Sequence, residues 1–105
     1  MLSMYIYRWK FQVKADCIQQ FEMLYGQDGA WVAFFKKNKA YIKTELLRST
    51  LHDNEYTTTD YWRSNADYDL FCQKYQAEFA ALDKLGEALT LKEEFIVESD
   101  ITSDI

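Results

Sequence analysis

The sequence predicts a small α+β domain of the ferredoxin-like kind: strand, helix, strand, strand, helix, strand, on an antiparallel four-stranded sheet. Three observations carry that prediction. Four segments have strand character, the first with period-two alternation. Apolar stripes near period 3.6 lie between them. The order forms two successive strand–helix–strand halves, and 105 residues leave room for one domain only.

Residues Met4 to Val13 alternate as a strand, with Tyr5, Tyr7, Trp9, Phe11 and Val13 on one face and Ile6, Arg8, Lys10 and Gln12 on the other. Asp16, followed three residues later by Gln19, has the spacing of a capping box. Ile18, Phe21, Leu24 and Tyr25 then make a helical stripe, and Gly26 is the expected stop through a left-handed residue. A short second helix is predicted over Gly29 to Lys37, with Trp31, Phe34 and Phe35 on one face. Ala40 to Arg48 and Glu55 to Arg63 read as the arms of a hairpin, joined by the turn-forming run Ser49 to Asn54. Ser64 caps a long helix whose stripe is Tyr68, Phe71, Cys72, Tyr75, Phe79 and Leu82, with Gly86 as its stop or kink. Thr90 to Glu98 is the last strand. The domain therefore spans residues 1–98, and 99–105 form a polar tail expected to fray.

Composition removes several function classes. Net charge is −5 and the longest basic stretch is Lys36-Lys37-Asn38-Lys39, so neither nucleic acid nor an anionic membrane surface is an expected partner. No apolar run approaches the ~20 residues of a membrane span, and the N-terminus lacks a signal pattern. Cys17 and Cys72 have no CxxC or nearby His, which gives no metal site and fits reduced thiols in a cytoplasmic protein. Helices can cover only one face of such a sheet. The other face carries apolar and aromatic residues, and a second copy of the chain is its expected cover.

Several phrases resemble the antibiotic-biosynthesis monooxygenase (ABM)-like proteins of the dimeric α+β barrel superfamily. They are Trp9-Lys10-Phe11-Gln12-Val13, Phe21-Glu22, Tyr25-Gly26, Gly29-Ala30-Trp31, Thr44-Glu45-Leu46-Leu47-Arg48 and Asp60-Tyr61-Trp62-Arg63-Ser64, with Phe71 beyond. The ending from Ala88-Leu89-Thr90 to Glu94 extends the resemblance, which covers residues 5–98. It implies a homodimer with one cavity per subunit between two stacked sheets. In some such proteins the cavity oxygenates activated aromatic molecules with no metal or flavin; others degrade haem or isomerise lactones.

Trp62 matches the pocket tryptophan of that group. Period two puts Tyr56, Thr58 and Asp60 on its face. A carboxylate in an apolar cavity has a raised pKa and serves as a general base, so Asp60 is the candidate catalytic residue; an ion pair with Arg8, Arg48 or Arg63 is its structural alternative. Trp62, Trp9, Tyr56, Thr44 and Arg48 are the candidate substrate-binding residues. The haem-degrading relatives supply a histidine from the helix after the tryptophan, where this chain has none, and an asparagine from the first strand, where it has Arg8 or Trp9. No cofactor is expected. These readings predict a monooxygenase or isomerase acting on a small flat apolar molecule. The alternatives are a non-catalytic small-molecule binder and a purely structural dimer. An unpaired carboxylate is costly against an apolar helix stripe, so Asp60 and Trp62 are expected to point away from the helices, into the space between sheets.

Overall fold

The computed structural model describes residues 2–103. β1 (Leu2–Val13) is followed by α1 (Ile18–Tyr25) and α2 (Ala30–Phe35). The hairpin β2 (Tyr41–Arg48) and β3 (Glu55–Trp62) leads to α3 (Asn65–Lys74), α4 (Gln76–Leu89) and β4 (Thr90–Ser103). The sheet order is β2-β3-β1-β4 with every neighbour antiparallel, as the ferredoxin-like pattern requires. All four helices pack on one face of the sheet.

The alternation of β1 sets the core. Tyr5, Tyr7, Phe11 and Val13 are buried beneath the helices, and Trp9 is half-buried with them. Cross-strand partners share a face. The pairs Tyr5–Trp62, Tyr7–Asp60, Trp9–Thr58 and Phe11–Tyr56 therefore carry the Asp60 face of β3 under the helices as well. Phe21, Leu24 and Tyr25 of α1, Trp31, Phe34 and Phe35 of α2, and Phe71 of α3 close this layer. Most of the rings meet edge-on or tilted, at centroid separations such as 5.3 Å for Phe11–Phe21 and 4.8 Å for Phe34–Phe71, while Phe21 and Tyr25 stack at 4.4 Å.

Several local expectations change. Asp16 does not cap α1: the helix starts one residue later, Cys17 takes the cap position without a side-chain bond, and Asp16 accepts a weak bond from Cys17 Sγ. Gly26 ends α1 in extended backbone, not left-handed, and its N–H returns to Glu22 O. Ser64 does cap α3, accepting from the Asp67 N–H at 3.1 Å. The long helix is two helices, broken at Tyr75, whose φ of −117° and ψ of 37° leave the helical region. Gly86 does not stop α4, which runs on to Leu89. It lies buried inside it, where a Cβ would run into the Tyr25 hydroxyl, so the small residue serves close packing of α4 on α1. In the hairpin loop Asn54 takes the positive φ of 61°, which Asn tolerates better than most residues.

Residues 99–103 are not a frayed tail. β4 continues through them, with Asp100 opposite Tyr5 and Ser103 opposite Leu2, because the long β1 offers its edge along its whole length. The remaining residues of the expected tail, 104 and 105, lie outside the described residues. Among the described residues no helix is long and apolar enough to cross a membrane.

Candidate functional site

A cavity of about 360 Å³ lies between the helix layer and the sheet, inside a single chain. Its floor is sheet: Tyr7, Trp9 and Phe11 from β1, Thr44 from β2, Thr58 and Asp60 from β3. Tyr25, Trp31, Phe35, Tyr68 and Phe79 supply rings from the four helices. Asp83 and Glu87 of α4, with Glu93 of β4, complete it on the solvent side. The cavity expected from the sequence lies between two stacked sheets of a dimer; the one found here lies within one chain, on the helix side of the sheet.

Asp60 sits deep in this cavity and is 7% exposed. Thr44 Oγ1 donates to Asp60 Oδ1. With its proton committed there, Thr44 accepts from the Tyr41 hydroxyl at 2.6 Å, giving a relay Tyr41–Thr44–Asp60. Burial pushes the Asp60 carboxyl up to about 6, opposed first by the Thr44 hydroxyl and then by Tyr7. The Tyr7 hydroxyl lies close enough to favour the ionised carboxylate, yet it has no partner in hydrogen-bonding geometry. Burial, and then the Asp60 charge, hold the Tyr7 phenol well above its ordinary range. Burial raises Tyr41 to about 12, opposed by its bond with Thr44. None of Arg8, Arg48 and Arg63 pairs with Asp60 among the described residues. Arg8 lies across the sheet and donates to Thr59 Oγ1 at 2.9 Å, and Arg48 stacks over Tyr56 at 5.8 Å.

Asp60, Thr44 and Trp9 thus come together on the cavity wall. Trp62 does not join them. It is fully buried beneath α3, within 5.3 Å of the Tyr68 and Phe71 rings and 5.4 Å of Phe35. Asp60 and Trp62 do share a face, but that face looks toward the helices, the reverse of the sequence expectation. Pairing with β1 carries Asp60 under the helices, and the Thr44 donor with the open space beside it lets a carboxylate sit there. Tyr56 and Arg48 are also outside the cavity. Tyr56 packs on Phe21 at 5.0 Å and its hydroxyl bonds Glu22, at the hairpin end of the sheet.

Sequence reasoning passed over Tyr7, Tyr68, Trp31 and the three rim acids. Tyr7 was visible as the strand neighbour of Trp9 at period two. Phe79, Asp83 and Glu87 follow one another at four-residue steps and so share a helix face, a signal that was legible and unused. Tyr68 and Trp31 gave no such signal, since a wall ring and a core ring have the same periodicity.

No family model matches the chain, and no curated protein matches it in sequence. Solved structures do match. SnoaB, a cofactor-independent oxygenase from Streptomyces nogalater, in a mutant form, superimposes with a TM-score of 0.73 at 20% identity, over 95% of this chain and 92% of that one. A conserved protein from Methanosarcina mazei Go1 gives 0.66 at 16% identity, over 99% and 95%. An antibiotic biosynthesis monooxygenase gives 0.63 at 15% identity, over 97% of each chain. The chain therefore has the ABM-like, ferredoxin-like α+β fold along nearly its whole length.

Proposed function

We propose that this protein is a monooxygenase that works on a small flat molecule in the cavity between sheet and helices, with Asp60 as proton acceptor. The observation that carries this reading is Asp60 itself: a carboxyl poised at about 6, bonded by Thr44 and facing a ring-lined space. A general base works best with a pKa near the operating pH. A phenol that loses its proton to Asp60 becomes electron-rich enough to react with O2. One oxygen atom enters a ring C–H position as a quinone carbonyl, the other leaves as water, and the substrate supplies all four electrons. Trp9 and Phe11 offer faces for stacking, and Thr44 keeps the carboxylate oriented. The likeness to SnoaB supports a route without a metal or organic cofactor, since that protein is a cofactor-independent oxygenase.

Oxygen uptake with a panel of phenols and dicarbonyls tests the reading. Turnover by the wild type, reduced at least about a hundredfold in a folded Asp60→Asn variant, is the expected result. Ligand binding without oxygen uptake, unaltered by Asp60→Asn, would make the protein a binder and not an enzyme.

A second proposal concerns the bare sheet face. Leu47 is 57% exposed and Val97 37% exposed, and register places both on that face with Ile6, Tyr61 and Ile101. A second copy of the chain is the cover that suits a face mixing these groups with Arg8, Lys43 and Glu45. Sedimentation at micromolar concentration should give about twice the chain mass, and a folded monomer would end the idea. Cys17 and Cys72 are both free thiols, which suits a cytoplasmic setting.

A further inference from the structure

The charges around the cavity are all of one sign. Asp60 lies at its inner end, and Asp83, Glu87 and Glu93 stand where it meets solvent. No residue lining it is Lys, Arg or His. Among the described residues none of these four carboxylates has an ion-pair partner, although Lys10, Lys37, Lys43 and Lys92 all pair with acids elsewhere. Glu93 is raised by burial, then by Asp83 and Glu87, and Asp83 by burial and then Glu87. Carboxylates gathered at one rim stabilise a cation that enters between them.

Two further groups point to a ligand independently. Tyr7 Oη and Trp31 Nε1 belong to side chains 5% and 7% exposed on the wall of the same cavity, and neither atom has a partner in hydrogen-bonding geometry, although Tyr7 lies near Asp60, Trp62 and Tyr68 and Trp31 lies near Tyr25. Buried polar atoms are almost always bonded, so an occupant that carries polar atoms is the simplest completion. Tyr25 and Trp31 rings stack at 6.2 Å near the rim acids, and Phe79 meets Trp31 edge-on at 5.0 Å. Ring faces attract cations through their quadrupoles.

We propose that the molecule this cavity takes is an organic cation, a protonated amine whose ammonium sits between Asp83, Glu87 and Glu93 while its flat apolar body lies among the rings toward Asp60. This rests on the reading that the cavity binds a small flat molecule, and it names the charge class of that molecule. It also resolves a difficulty in the chemistry. A substrate that gives its proton to Asp60 becomes an anion in a cavity with no protein cation to stabilise it. A substrate that brings its own ammonium is a zwitterion at that stage, and its positive charge sits at the acidic rim. A carboxylate or phosphate ligand meets four like charges and is excluded.

Isothermal calorimetry of the full chain with three indoles of similar size and different charge tests this: tryptamine (cation), skatole (neutral) and indoleacetate (anion). Tryptamine should bind at least about tenfold tighter than skatole, and indoleacetate the weakest of the three. In the combined Asp83→Asn, Glu87→Gln, Glu93→Gln variant the tryptamine advantage should vanish while skatole binding stays. All three substitutions are on the solvent side, so a thermal melt like that of the wild type is expected. Equal binding of tryptamine and skatole overturns the charge assignment and leaves the cavity reading standing. No binding of any of the three overturns both. Displacement of tryptamine by millimolar magnesium would show a plain inorganic cation site, and the proposal would fail.

Discussion

Replacing Asp60 by Asn should make the protein more stable near neutral pH while removing its proposed activity. The carboxyl is raised from 3.8 to about 6, chiefly by burial. A group whose folded pKa is raised contributes stability that is complete below its unfolded pKa and is lost as pH climbs through the folded one. The gap of roughly two pH units corresponds to about 3 kcal/mol at 1.36 kcal/mol per unit, so ionised Asp60 costs the native state about that much above pH ~6. Asparagine never carries this charge. Its amide oxygen can accept from Thr44 as the carboxylate does, and its NH2 can donate to the unpartnered Tyr7 hydroxyl. Paired thermal melts of wild type and variant across pH are the assay. For a domain of this size about 3 kcal/mol is a rise in Tm of roughly 10 °C or more at about pH 7.5, shrinking to nothing near pH ~4. Asp83 and Glu93 titrate in both proteins, so the difference curve isolates Asp60. A Tm difference that is constant with pH, or a variant less stable at about pH 7.5, would refute the reasoning.

Trp62→Ala should cost about 3–5 kcal/mol in chemical denaturation, as for a fully buried core ring, whereas half-buried Trp9→Ala should cost less and mainly weaken ligand binding. The reverse order would put the pocket at Trp62 after all. Gly86→Ala sets a methyl group against the Tyr25 hydroxyl and should destabilise by about 1–3 kcal/mol, despite the better helix propensity of alanine; paired melts that show a gain would mean that α4 is free to shift away from α1. Haem titration should give no sharp stoichiometric Soret shift, because His52 is exposed in the hairpin loop, far in the chain from the cavity helices; conversion of haem to a bilin under reductant would contradict that.

Much of this protein was decided locally. The alternation of Tyr5 to Val13, the cap at Ser64 and the hairpin turn at Ser49 to Asn54 are short-range properties, so element order and the ferredoxin-like topology followed from the sequence. So did the fact that Asp60 and Trp62 share a face, because period two assigns residues to faces without reference to anything else. Which face the helices cover is not a local property. It is set by the pairing of β3 with β1, which matches Asp60 to Tyr7 and Trp62 to Tyr5 and carries them under the helices with the aromatic face of β1. The tolerance of a carboxylate there depends on Thr44, sixteen residues away on another strand. The break at Tyr75 and the run of β4 to Ser103 likewise answer to what packs beside them, the rings of α2 in one case and the full edge of β1 in the other. The sequence thus determined the elements and the grouping of side chains, while tertiary packing alone decided where the empty space lies, because a cavity is a property of how layers meet and no single segment encodes it.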